Sequence, residues 1–540
     1  MNIEEKLKEK ISNALASQGI VFPVPSIIIE HSKSSEHGDY ACNVALQLSK
    51  DLHKNPREIA TIIVSNIDRS GISKIEIAGP GFINFFLSQE SITKVISTII
   101  SQGSDFGKHE KNNLRVNVEF VSANPTGSLH LGHARCAAIG DSICRLYEAA
   151  GYDVTREYYI NDAGAQVEHL GESISARYMT LLGIPTDVPT DGYHGEDIKK
   201  IASRIIDESG NKYLSDSIDN KKYFVQKGIE LELENIKEDL KSFRVEFDVF
   251  SSESKIREGH RIESTIEKYK KFTYVSDGAL FLKTTAFLDD KDRPIKKSDG
   301  QYTYFMPDIA YHLDKLSRKF DLLVDILGAD HHGYIARMKS ALMMQGYSRD
   351  ILEVELVQVV RLMKDGLEVK MSKRTGNAVT LRELCEDVGV DASRYFFVSR
   401  AASSHLDFDL SLALEQNSSN PVYYAQYAHA RLSKVLATAS DIDFDLDGKR
   451  LREEQENELM VHLASYPSII VSSANERAPQ KIVIYIQKLA SLIHAFYTEC
   501  HIINSDDKEL TQSRLALAKA SQIVMRNALD IIGVSAPEKM

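Results

Sequence analysis

The stretch Val118–Gly140, VEFVSANPTGSLHLGHARCAAIG, constrains this chain more than any other. Before and into it, Leu114, Val116, Val118 and Phe120 alternate with Arg115, Asn117 and Glu119, the period-2 pattern of a strand. After it, Ile139, Ile143, Leu146, Tyr147 and Ala150 recur at helical spacing, and Gly151 stands where a glycine would end that helix. Between them lie Pro125 and Gly127, then His130-Leu131-Gly132-His133. The reading is strand, tight turn and helix start, with two histidines at the start. Backbone N–H groups in the first turn of a helix lack intrahelical partners, and the helix dipole favours an anion there. Two imidazoles beside such donors make a candidate phosphate site.

A lone H-x-x-H is a weak signal. It gains weight from Lys370-Met371-Ser372-Lys373-Arg374, far downstream and followed by Thr375-Gly376-Asn377. A basic cluster is usually a solvated surface, but Gly366 and Gly376 flank this one and suggest a mobile loop. HLGH and KMSKR, in this order and about a domain apart, resemble the two signatures of class I aminoacyl-tRNA synthetases.

At 540 residues the chain exceeds one core, so roughly two to four domains are expected. It is 43% hydrophobic and 26% charged, as ordinary globular proteins are. The net charge of −12 disfavours non-specific coating of nucleic acid, which relies on phosphate neutralisation, yet permits an RNA held by local basic patches. The opening MNIEEKLKEK has no apolar signal core, and no apolar run is long enough to span a bilayer, so a cytoplasmic location is expected. Five scattered cysteines without a C-x-x-C pair argue against a structural zinc site and a disulfide framework. Cys136 and Cys144 read as small buried residues of one helix.

The fold expected is α/β: a Rossmann-like parallel-sheet domain with a small N-terminal α/β domain and a C-terminal all-α helical bundle. Residues 1–104 read as the small module. An opening helix carries Ile3, Leu7 and Ile11, HGDYACNVALQLSK is a second amphipathic helix, and a third runs from Ile59 to Ile67. Two strands flank Gly79-Pro80-Gly81, a further helix follows from Ile92, and SQGSDFGKHEKNN reads as a linker. Residues 114–390 read as the nucleotide-binding domain, with a charged helical insertion around 172–270. Its strands include Val154–Ile160, Gly278–Leu282, Tyr302–Asp308, Leu322–Leu327 and Val354–Leu362. Asp162, at the end of one of them, suits a helix N-cap. Residues 391–540 turn helical, with apolar stripes that a bundle would bury.

The resemblance extends over nearly the whole chain. GDYACNVA and IEIAGPGFINFFLS look like the extra N-terminal domain of bacterial arginyl-tRNA synthetases, which in that family contacts the tRNA elbow. YINDAG and YFMPDIAYHLDK are similar to that family, and DASRYFF resembles its D-A-L-R segment with Ser393 in place of leucine. The implied reaction activates arginine with ATP to arginyl-adenylate and pyrophosphate, then passes the arginyl group to the terminal adenosine of the tRNA for arginine. The resemblance assigns His130, His133, Lys370 and Lys373 to catalysis on the phosphates. It assigns Gly132, Gly328, Asp330, His331, His332, Met371 and Ser372 to ATP. Glu119, Ser122, Asn124, Tyr304 and Asp308 are assigned to arginine. Asp-His-His alone also suits a metal, but the matching family segment contacts adenosine. Asp308 alone also suits a helix cap after Pro307. Mg²⁺ is expected to accompany ATP, with no protein metal ligands and no zinc; a monomer is the family expectation.

Three alternatives belong beside this. Another class I synthetase, such as the cysteine or glutamate enzyme, would lack the N-terminal module. A small-molecule adenylyltransferase would not need the helical C-terminal half. A non-catalytic tRNA-binding paralogue would not need both signatures intact.

Overall fold

The computed structural model describes residues 3–32, 35–369 and 379–540. Around the stretch that opens with Val118, the chain builds a five-stranded parallel sheet. The central strand Arg115–Glu119 pairs on one side with Asp153–Ile160, which pairs in turn with Val249–Ser252. On the other side it pairs with Leu322–Gly328, and that strand with Leu352–Val357. The chain thus completes one half of the sheet before starting the other. Where the winding reverses, a crevice opens at the carboxyl ends of Arg115–Glu119 and Leu322–Gly328.

The central strand is not the half-solvated strand its alternation suggests. Val116, Asn117, Val118 and Glu119 are all buried, as expected for a parallel sheet covered on both faces. Phe120 meets Gly140 of the helix Leu131–Ala149, where any Cβ would lie 2.4 Å from its ring. The opposite face meets the helix Phe305–Ser317, so Asn117 and Glu119 must find protein partners instead of water. The helix Leu131–Ala149 ends as expected: Gly151 has φ 93°, and a Cβ there would sit 2.1 Å from the Glu110 carbonyl oxygen.

Several sequence expectations are corrected. Tyr302–Asp308 is not a strand, since Phe305 already begins the helix that runs to Ser317, with Pro307 in its first turn. Ala279–Leu282 is a strand, but of a separate antiparallel sheet with Thr273–Ser276 and Arg293–Lys296. The run Val354–Leu362 divides: Leu352–Val357 stays in the parallel sheet, while Val360–Lys364 joins Leu406–Asp409 and Leu367–Glu368 in another. HGDYACN does not start a helix; Tyr40–Cys42 is a strand of the N-terminal antiparallel sheet, and the helix begins at Val44. The strand Val249–Ser252 falls inside the 172–270 span, whose helices Glu196–Ser209 and Ile218–Ser242 pack with Ala165–Leu181 on a core of their own. Asp162 caps no helix there; Gly164 precedes Ala165–Leu181, and the Asp162 carboxylate accepts from Ser252 Oγ (2.6 Å) and the Ser254 N–H (2.8 Å).

The segment read as a linker is pinned. His109 N–H donates to the Ala149 carbonyl, and Asn527 Nδ2 donates to the carbonyls of Gly103 and Phe106. The C-terminal helices Pro421–Thr438, Glu454–Ala464, Tyr466–Asn475, Gln480–Glu499 and Lys508–Ile531 bury a continuous apolar interior. Arg394 lies fully buried where this half meets the rest. Its guanidinium donates to Asp141 Oδ2 (2.6 Å), the Ile532 carbonyl (2.9 Å) and the Phe243 carbonyl (3.0 Å). All five cysteines are free thiols, and Cys136 and Cys144 are buried on the helix Leu131–Ala149. Among the described residues, no helix is long and apolar enough to cross a membrane.

Candidate active site

The crevice at the reversal point holds a cavity of about 700 Å³. Glu119, Ser122 and Asn124 reach it from the end of the central strand, His130, Gly132 and His133 from the helix start, and Asp308 from the helix Phe305–Ser317. Gly328, Asp330 and His331 reach it from the end of Leu322–Gly328. Tyr159, Tyr311, His312, Asp325 and Tyr334 also line it, and the sequence reading missed them.

The two histidines do more at the helix start than stand beside it. His130 is the N-cap, and its Nδ1 accepts from the N–H of Gly132 (3.0 Å) and of His133 (3.4 Å). His133 Nδ1 accepts in return from the His130 N–H (3.4 Å). The rings stack with centroids 3.6 Å apart. The Gly132 and His133 amides, which an anion was expected to meet, are therefore already partnered. Because each Nδ1 accepts, each neutral ring carries its proton on Nε2, a donor directed away from the capping bonds. Burial holds both imidazoles neutral, and with the neighbouring ring it lowers the His133 pKa to about 3. At Gly132, which lines the cavity, a Cβ would meet His130 Cε1 at 2.9 Å, so the glycine also makes room for the capping ring.

The chain turns sharply after the central strand. Val121 (φ 67°) and Ser122 (φ 41°) are both left-handed, a costly conformation for a β-branched residue. That turn lets Ser122 Oγ donate to Glu119 Oε1 (3.0 Å) and accept from the Tyr159 N–H (3.1 Å). Asn124 Nδ2 donates to Gln166 Oε1 (2.5 Å).

Asp308 does not cap its helix. Tyr304 holds the N-cap position without a side-chain capping bond, and Asp308 lies one turn inside. Burial, with Glu119 and Glu253 nearby, pushes its pKa up to about 7, against the opposing pull of His312 and Arg337. Glu119 has a fixed counter-ion, for Lys315 Nζ donates to its Oε2 at 2.5 Å. Tyr304 is 83% exposed and does not line the cavity, and neither does His332. Lys315 is fully buried and was missed. The signal that would have found it is the spacing Asp308, Tyr311, His312, Lys315, which puts polar groups on one face of an otherwise apolar helix.

Lys370, Met371, Ser372 and Lys373 lie outside the described residues. The chain just beyond them returns to the histidines. His130 and Thr380 form an antiparallel bridge, and the Leu381 N–H donates to the Leu129 carbonyl at 2.7 Å. Among the described residues, no group of three or more His, Cys, Asp or Glu side chains is arranged to hold a metal.

Comparison with known proteins agrees with this architecture. The model "tRNA synthetases class I (R), catalytic domain" matches residues 95–398, and it makes this chain a class I aminoacyl-tRNA synthetase. "Arginyl tRNA synthetase N terminal domain" matches residues 2–87, and "DALR anticodon binding domain" matches residues 425–540. A Bacillus subtilis protein named arginine–tRNA ligase is 46% identical over 556 residues, covering 100% of both chains. One of that name from Geobacillus kaustophilus is 47% identical over 551 residues, covering 100% of this chain and 99% of its own. The chain belongs to the arginyl-tRNA synthetase family. The fold alone is shared with the solved Thermus thermophilus arginyl-tRNA synthetase, at TM-score 0.80 and 20% identity over 100% of both chains.

Proposed function

We propose that the cavity is where arginine and ATP meet, with Asp308 gripping the guanidinium and the two histidines serving the phosphates. The chain is an arginine–tRNA ligase. The arginine carboxylate attacks the α-phosphorus of ATP; the α–β bridging oxygen leaves with pyrophosphate, and arginyl-adenylate remains. A hydroxyl of the terminal adenosine of tRNA then attacks the carbonyl carbon. AMP departs, and the hydroxyl proton passes to solvent. Phosphoryl chemistry of this kind depends on positioning and charge stabilisation more than on covalent help.

The observation that carries the assignment of Asp308 is a carboxylate in the cavity wall whose environment resists its charge. A guanidinium supplies the missing cation and a planar fork of donors that lysine lacks. Ser122 and Asn124 then serve the α-amino end, and Glu119 acts through its ion pair beside them. Gly328, Asp330 and His331 face ATP. Nε2–H of His130 and His133 donates to phosphate oxygens, Lys370 and Lys373 serve the pyrophosphate, and Met371 and Ser372 serve ATP. Mg²⁺ enters as the counter-ion of ATP. The domains follow the division 1–104, 114–390 and 391–540, and the reading includes a cytoplasmic monomer, checked by sedimentation. Asp308→Asn tests the core of the proposal. The KM for arginine should rise by about a hundredfold or more while the KM for ATP stays near wild type. Equal loss of both affinities would reduce Asp308 to a structural residue.

A further inference from the structure

Three acidic side chains meet the arginine end of the cavity, Glu119 and Asp325 from adjacent strands and Asp308 from the helix above. Lys315 is wholly buried among them, with Nζ at 2.5 Å from Glu119 Oε2 and 2.9 Å from Asp325 Oδ1, and 4.5 Å from the Tyr311 ring centroid. Asp325 also accepts from His312 Nε2 (2.8 Å), whose Nδ1 donates to the Asp308 carbonyl (2.8 Å). Two of the three carboxylates thus have fixed cationic or N–H partners, and Asp308 is left for the substrate. Lys315 shares its helix face with Asp308, Tyr311 and His312, so one helix delivers both the acceptor and the counter-charge.

We infer that Lys315 is a positioning residue that sets amino-acid specificity: by pairing Glu119, and sharing Asp325 with His312, it leaves Asp308 as the one of these three carboxylates without an ion-pair partner, so the cavity takes a single cationic side chain. This rests on the reading of Asp308 as the guanidinium acceptor. Without Lys315, Glu119 and Asp325 add negative potential at the site, and Asp308 accepts a proton more readily. Asp308 faces His312 on its own helix, Glu119 on the central strand, Glu253 after Val249–Ser252, and Arg337 and Tyr334 on the helix Tyr334–Met344. None of these replaces the Lys315 contact with Glu119.

The test is the pH profile of kcat/KM for arginine in aminoacylation by the full chain. The wild type should show an acid limb near pH 7, since only ionised Asp308 takes the guanidinium. Lys315→Met should move that limb up by about one unit, lowering kcat/KM for arginine about fivefold at pH 7, with the KM for ATP unchanged. Lys315→Met/Glu119→Gln removes one positive and one negative charge and should return the limb to its wild-type position. Should Lys315→Met fail to fold, Glu119→Gln alone carries the test, because loss of a neighbouring anion should move the limb down by about one unit. A limb that stays in place in these variants, while Asp308→Asn abolishes it, overturns the role of Lys315 alone. A limb that survives Asp308→Asn overturns the reading of Asp308 and this inference with it.

Discussion

The backbone N–H of Leu381 donates to the carbonyl of Leu129 at 2.7 Å, tying the chain after KMSKR to the residue before HLGH. Thr380, which bridges His130, also caps the helix Leu381–Val388 in a reciprocal box with Glu383. The chain that resumes at Val379 is thus anchored to the start of the histidine-bearing helix.

That anchor is intact if only a lysine beyond it is shortened. Lys373→Ala should therefore leave the KM for arginine near wild type. If Lys373 stabilises charge developing on the departing pyrophosphate, its loss should slow adenylate formation by roughly a hundredfold, or ~3 kcal/mol. Stopped-flow measurement of that step decides; an unchanged rate removes Lys373 from the mechanism.

The capping and chemical duties of His130 are separable. Asparagine is a good N-cap that can accept the Gly132 and His133 amides but has no imidazole Nε2–H. His130→Asn should keep thermal stability within a few tenths of a kcal/mol and slow adenylate formation, whereas His130→Ala should lose both, with about 1 kcal/mol of stability. Equal activity in wild type and His130→Asn would confine His130 to capping.

Acidification should weaken the fold through His133. In the folded chain its ring stays neutral down to about pH 3, while an unfolded histidine takes a proton near 6.5. Between those values the unfolded state binds the extra proton, so stability falls as pH falls. Asp308 works the other way, since its folded pKa of about 7 lies above the unfolded value near 3.9. Comparison of variants isolates the two. From pH 7.5 to about 5, His133→Gln should lose less stability than wild type and Asp308→Asn more, read as shifts of urea midpoint. Parallel shifts in all three proteins would contradict both assignments.

Arg394 links the C-terminal half to the helix that carries the two histidines. It joins the Ile532 carbonyl in the C-terminal tail to Asp141 on the helix that His130 caps. A coupled mechanism predicts that arginine-dependent pyrophosphate exchange is near background for the free enzyme and rises when cognate tRNA is added. Arg394→Lys cannot make the three-way contact and should diminish that rise more than it diminishes arginine binding. Strong exchange without RNA refutes the coupling and leaves the ligase assignment standing. Truncation after Ala401 is a poor substitute, because it also removes Tyr466–Asn475 and Lys508–Ile531, which pack against the helix Leu131–Ala149.

The sequence by itself determined the elements whose signals are local. The strand, turn and histidine-bearing helix around Val118–Gly140 follow from periodicity, turn residues and a C-terminal glycine. The second inner strand and the bundle helices were legible in the same way: Leu322–Gly328 as an apolar run, Gln480–Glu499 and Lys508–Ile531 as stripes. Only the tertiary structure decided which polar groups would face each other across those elements. Alternation could not tell that Asn117 and Glu119 turn to a second buried layer instead of water, because that depends on the helix Phe305–Ser317 lying over them. Nor could spacing say that His130 would spend its Nδ1 on capping, that Tyr304 would stand in solvent, or that Lys315 would reach two strands at once. Burial and ion pairing are relations between segments far apart in the chain, and their energies exist only once packing has removed the water between them.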